Sequence, residues 1–145
     1  MTVTLSLAGG HLEQLRRHLF PGDGKEAAAI VLCGRRAGSG RHRLLGREVL
    51  PIPHEACIER SPVSIEWSTD LIDPRLRRAN VARLSIVKVH SHPRYWPRFS
   101  DQDDLSDRDL FPCIDGAIDA DVPHASVIML PDGSLRLRRR NTRTG

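Results

Sequence analysis

Two histidines one residue apart, His90 and His92, are followed by Pro93, six further residues, and the segment Ser100-Asp101-Gln102-Asp103. Residues two apart on a strand project to the same side, so both imidazoles can converge on one point. A carboxylate at the start of a following helix can supply a third ligand. Three protein ligands with a fourth position left open is the arrangement of catalytic zinc, and neutral imidazoles with a carboxylate and no thiolate suit it. Each piece also has an ordinary reading. A His-x-His pair arises by chance, and Ser100 with Asp103 has the spacing of a helix capping box in which Asp stands in for Glu. Together, in this order and after an apolar strand, the five positions point to a metal.

The elements that must position these residues follow from hydrophobic periodicity. Leu12, Leu15 and Leu19 recur at helical spacing over residues 11–19, before the Pro21-Gly22-Asp23-Gly24 break. The continuous apolar run Ala27 to Cys33 reads as a buried central strand with Glu26 at its start. After the turn-rich residues 35–40, residues 41–50 read as a second strand of a hairpin, ended by Pro51 and Pro53. Residues 54–63 read as a loop, and 64–67 as a short strand. Asp73 as N-cap with Pro74 behind it marks a helix running to about Arg83. Residues 84–90 (LSIVKVH) form a second central strand that enters the loop SHPRYWPRF. Ser100 then caps a helix that Pro112 is expected to stop. Residues 125–130 and 135–139, joined by Pro131-Asp132-Gly133-Ser134, make a hairpin. Strands and helices interleave, so the class is α/β or α+β around a mixed sheet.

The spacing HxHP, six residues, SxxD resembles the JAMM signature of the JAB/MPN metalloproteases, matched by His90, His92, Pro93, Ser100 and Asp103. The family also has a Glu on an early strand followed by small and apolar residues and a Gly, matched by Glu26 through Gly34. Four other glutamates, Glu48, Glu55, Glu59 and Glu66, compete for that role, and only the strand pattern separates them. The resemblance spans roughly residues 10–138. It implies a curved mixed sheet flanked by helices, related to the cytidine-deaminase fold, with zinc held by His90, His92 and Asp103. It further implies metal-assisted amide hydrolysis, with Glu26 as base and then acid and Ser100 donating to the developing oxyanion. The substrate class it implies is the C-terminal tail of a ubiquitin-like protein, with an E1-like activating enzyme as a possible associate. Residues 112–124 lack the long insertion that often carries extra substrate-binding elements in this family.

Length and composition set the frame for these readings. At 145 residues the chain is the size of one domain, and we treat residues 1–145 as a single unit. No apolar run approaches the roughly 20 residues of a membrane span, and the first twenty residues lack the features of a signal peptide, so a cytoplasmic protein is expected. Cys33, Cys57 and Cys113 are odd in number and in no CxxC pair, which argues against a disulfide framework or thiolate zinc site and for buried free thiols. Net charge is +4, but residues 101–121 hold eight Asp against one Arg, while the end LRLRRRNTRTG is basic. Five arginines on a final strand and tail are read as a solvated edge that blocks strand pairing, and not as a nucleic-acid interface. Tyr95, Trp96 and Phe99, between the candidate ligands, either line a substrate groove or pack over their loop. His42, His54 and His124 lack partners at ligand spacing. A non-catalytic scaffold of the same family would lose metal ligands, and all are kept here. A zinc deaminase would need H-x-E with P-C-x-x-C, and neither is present.

Overall fold

The computed structural model describes residues 2–38, 40–119 and 121–140. The described strands are β1 (Thr2–Ser6), β2 (Ala28–Gly38), β3 (Arg41–Pro51), β4 (Glu59–Arg60), β5 (Ile65–Glu66), β6 (Ser85–Ser91), β7 (His124–Met129) and β8 (Leu135–Arg140). The helices are α1 (Gly9–Leu19), α2 (Asp73–Val81) and α3 (Asp101–Ala117). Six strands form one curved sheet in the order β1-β3-β2-β6-β7-β8, flanked by the three helices, and β4 pairs with β5 in a separate ribbon. β1–β3 and β6–β7 are parallel and the remaining pairs antiparallel, so the sheet is mixed as expected.

Strand alternation explains why β2 reads as an unbroken apolar run: it is covered on both faces. Ala28, Ile30 and Leu32 join Ile86 under α2 and α3, packed with Leu76, Leu110, Phe111 and Ile114. Ala27, Ala29, Val31 and Cys33 face the other way, with Val87, Val89 and Val127, under Leu15 and Leu19 of α1. β6 alternates identically, which turns Lys88 and His90 toward α3.

Several expectations need correction. Pro112 does not stop its helix: α3 continues to Ala117. An internal proline costs about 3 kcal/mol, but Ile114 and Ile118 beyond it are fully buried, and at about 1.5–3 kcal/mol each their burial outweighs it. Asp73 is the first helical residue and not the cap, Pro74 follows it, and α2 ends at Val81. The loop over 54–63 contains one 3-10 turn (His54–Ala56) and β4, which pairs with the short strand expected near Ile65. β1 was not anticipated; its alternation is only five residues long and its partner, β3, lies some forty positions away. Of the three free thiols, Cys33 is buried, Cys57 is partly exposed and Cys113 is exposed, against the expectation of burial for all. The arginine-rich strand is indeed a sheet edge, while Arg143 lies outside the described residues.

Candidate metal centre

The end of β6, the loop after it and the first turn of α3 bring the candidate residues to one point. His90 Nε2 and His92 Nε2 are 3.1 Å apart. Asp103 Oδ1 is 3.0 Å from His90 Nε2, and Oδ2 is 3.1 Å from His92 Nε2. Glu26, just before β2, completes a buried group of four whose ligand atoms all lie within 4.8 Å of one another. Three donors at zinc-ligand distances of about 2.0–2.1 Å in a tetrahedron would stand roughly 3.3 Å apart. The His90–His92–Asp103 triangle has edges of that size, and two facing imidazole nitrogens directed at one carboxylate are poorly satisfied by protons alone. The donor set therefore fits a metal ion.

Each ligand atom is oriented by the surrounding chain. The Trp96 carbonyl accepts a 2.7 Å bond from His92 Nδ1, which leaves the Nε2 lone pair facing the centre. Ser100 and Asp103 do form a capping box: Ser100 Oγ accepts from the Asp103 amide at 3.1 Å, and Asp103 Oδ2 accepts from the Ser100 amide at 2.8 Å. The cap and the centre thus share one carboxylate. His90 Nδ1 and Glu26 Oε1 are buried without a hydrogen-bond partner. The Phe99 ring stands 6.2 Å from that of His90.

Protonation follows from these contacts. Burial lowers the affinity of His90 for a proton, against the pull of Asp103, so the ring is held neutral. In His92 burial acts the same way, but the bonds to Asp103 and the Trp96 carbonyl outweigh it and raise the pKa. Asp103 is pushed up by burial, yet the two histidines hold it well below the usual carboxylate range. Glu26 moves oppositely: burial, and then the charge of Asp103, push its pKa up to about 8, with His92 and Lys88 opposing. The two carboxylates of one site are thus shifted in opposite directions.

Residues not singled out from sequence hold this arrangement. Arg60 Nε donates to the Glu26 carbonyl at 2.8 Å and its guanidinium bonds Asp23, while the Glu26 amide donates to Ser61, so the β4–β5 ribbon carries Glu26. Ser91, between the two histidines, accepts from the Ala27 amide at 2.9 Å and ties β2 to the end of β6. Beneath the site, buried Lys88 bonds Asp107 on α3 at 2.8 Å and Ser106 at 3.1 Å. Asp107 also accepts from Arg138 of β8 at 2.8 Å, and Arg138 reaches Asp104 at 2.6 Å. Arg138 stacks 3.8 Å over Phe99, so this part of the edge strand, and Asp104, are paired and not simply solvated.

The competing residues are engaged elsewhere. Glu48 pairs with Arg75 and Arg78, and Glu59 accepts from Ser64; Glu55 and Glu66 are not part of the buried group. His54 contacts the His18 carbonyl and stacks on its ring, and His124 Nδ1 accepts from the Ile86 amide. A cleft of about 350 Å³ opens over the centre, lined by Glu26, His92, Ser100, Pro62, Val63, Arg94, Tyr95 and Trp96. Tyr95 and Trp96 thus line the groove, while Phe99 packs behind His90.

A family model described as Prok-JAB, prokaryotic homologs of the JAB domain, matches residues 9–141. The chain belongs to this family. The solution structure of protein DSY2949 from Desulfitobacterium hafniense is similar to this JAB domain, with a TM-score of 0.57 and 20% identity, over 94% of this chain and 82% of that one. At that identity the likeness speaks for the fold. No curated protein sequence matches the chain. Among the described residues no helix is long and apolar enough to cross a membrane.

Proposed function

We propose that this JAB domain is a zinc-dependent peptidase that hydrolyses the bond after the C-terminal glycine of a ubiquitin-like protein. The observation that carries the reading is the buried group of Glu26, His90, His92 and Asp103 on the floor of an open cleft. His90, His92 and Asp103 would hold the ion. Zinc would supply Lewis acidity, polarising a scissile carbonyl and acidifying water near neutral pH. Glu26 Oε1, buried and unpartnered, takes the proton of the attacking water. Its raised proton affinity suits holding that proton near neutrality and delivering it to the leaving amine. Ser100 caps α3 with an oxygen lone pair, which leaves its hydroxyl hydrogen to donate to the oxyanion as it forms.

The cleft walls support an extended, narrow substrate. Pro62 and Val63, between β4 and β5, line the cleft together with Tyr95 and Trp96, and a tail backbone could add to the ribbon as a strand. Glycine is the residue expected at the cleaved position, because it lets a tail backbone approach the ribbon most closely. An E1-like activating enzyme is the partner this reading implies, and three free thiols suit the reducing cytoplasm.

The test is a fusion of a ubiquitin-like protein to a reporter, incubated with zinc-loaded enzyme, with the terminal glycine varied. Cleavage just after glycine, lost on chelation and on Gly→Leu, is expected. Equal cutting of the leucine variant or of unstructured peptides would show a general peptidase instead. Elemental analysis should find about one zinc per chain, lost in the His90→Ala/His92→Ala variant.

A further inference from the structure

At the end of β2 and β6 remote from the metal centre lies a second concavity of about 250 Å³, lined by Arg35, His42, Arg83, Asp121, Val122, Pro123 and Arg139. From Glu26 to Arg35 is nine residues along an extended chain, on the order of 30 Å, so the two sites are separate. The side chains arrive from four different places: Arg35 from β2, His42 from β3, Arg83 from the turn between α2 and β6, and Arg139 from edge strand β8. Four elements converging on one hollow differ from a basic stripe along a single strand.

Three observations set this hollow apart. First, Arg35, Arg83 and Arg139 have no carboxylate partner among the described residues, as holds for most arginines of the chain, but these three meet at one hollow. Arg35 is partly buried, and its guanidinium bonds only the Arg83 carbonyl at 2.6 Å and Ser85 Oγ at 3.4 Å. Burial, and then the charges of Arg83 and Arg47, disfavour its charged form. Second, Arg83 is the only non-glycine residue with positive φ among those described, at 56°. Its amide bonds the Asn80 carbonyl and the Leu84 amide bonds that of Ala79, the helix-ending pattern in which glycine is the usual and least strained residue. An arginine stands where glycine would be less strained. Third, His42 Nδ1 is buried with no hydrogen-bond partner. A left-handed Arg83, like-charge crowding around Arg35 and an unpartnered His42 nitrogen meet in one hollow, where a bound anion would offset the crowded charge.

We propose that this hollow binds a small phosphomonoester, with the phosphate held by Arg35, Arg83 and Arg139. Guanidinium groups match phosphate oxygens in pairs. Asp121 on the rim offers an acceptor for a hydroxyl or amino group of the ester's organic part, and Val122 and Pro123 give that part an apolar wall. A hollow of about 250 Å³ matches a small ligand in size, whereas a nucleic-acid backbone needs an extended track of phosphate contacts. This inference is independent of the peptidase reading.

The experiment is calorimetric titration of the full zinc-loaded chain with adenosine monophosphate and with inorganic phosphate, at low salt, alongside Arg83→Gly and Arg139→Ala. A Kd in the millimolar range or tighter is expected, weakened at least about tenfold by either substitution. Arg83→Gly should also melt at or above the parent temperature, which separates a lost ligand from a lost fold. Unchanged affinity in both variants would place the anion elsewhere, at the metal centre for instance, and overturn the proposal. So would the absence of binding by the parent at about 10 mM ligand. Binding of single-stranded oligonucleotides that strengthens with length, with no affinity for the monophosphate, would make the hollow part of a nucleic-acid surface and refute it equally.

Discussion

Replacing Asp107 by leucine should destabilise this protein more than replacing Lys88 by methionine, and replacing both should be the mildest change of the three. The reasoning rests on the buried pair Lys88–Asp107 at 2.8 Å, whose side chains are 2% and 0% exposed, and on the second bond from Asp107 to Arg138. Asp107→Leu strands the enclosed Lys88 and leaves Arg138 with Asp104 alone, and removing one partner of such a buried pair costs about 3–5 kcal/mol. Lys88→Met leaves Asp107 with Arg138, so the loss should be smaller, about 1–3 kcal/mol, on the scale of a partly satisfied charged group. With both changed, Met and Leu fill a site bordered by the apolar cluster under α3, Arg138 keeps Asp104, and the net loss should fall below about 1–2 kcal/mol. The assay is urea unfolding of the parent, both single variants and the double variant. A chelator belongs in every sample, because a metal bound only by the folded state adds to apparent stability. Single losses that sum to the double loss within about 0.5 kcal/mol would show no coupling and refute the argument.

Three further outcomes are expected. Glu26→Gln should keep fold and metal content but reduce turnover of the fusion substrate at least about 100-fold; unchanged turnover would remove Glu26 from the chemistry. Ser100→Ala should lower stability by about 1 kcal/mol through the lost cap and kcat by on the order of 100-fold through the lost donor; thermal unfolding and kinetics on one sample read the two separately. In Asp107 burial raises the pKa, but Lys88 and Arg138 bring it below the ordinary value. Its contribution is therefore present above the unfolded pKa near 4 and lost as pH falls through the folded one. The acid limb of chelated protein should thus be steeper in the parent than in Lys88→Met/Asp107→Leu, measured by unfolding between about pH 5 and 2.

What the sequence could convey was set by how local each signal is. His90, His92, Ser100 and Asp103 are spaced within one strand, loop and helix start, and their grouping was legible. Glu26 was separable from four other glutamates only through a family pattern, since nothing local says that β2 pairs with β6. Lys88, Asp107 and Arg138 were illegible for the same reason: their bonds join positions 19 and 31 residues apart. Pro112 misled because a local rule was applied where Ile114 and Ile118 decide. Arg60, which carries Glu26, sits in a segment without periodicity.

The chain order of the centre also bears on how the protein folds. His90, His92 and Asp103 fall within fourteen positions of one another, on a single parallel crossover running from β6 through α3 to β7. Glu26 joins from 64 positions before His90, when Ala28 comes into register with it. Closing the short loop between the ligands costs far less chain entropy than docking β2. The three candidate ligands can therefore assemble within a partly folded crossover, while Glu26 is added only when β2 pairs with β6. Any ion held by those three residues would then stabilise the crossover before the four-residue group is complete.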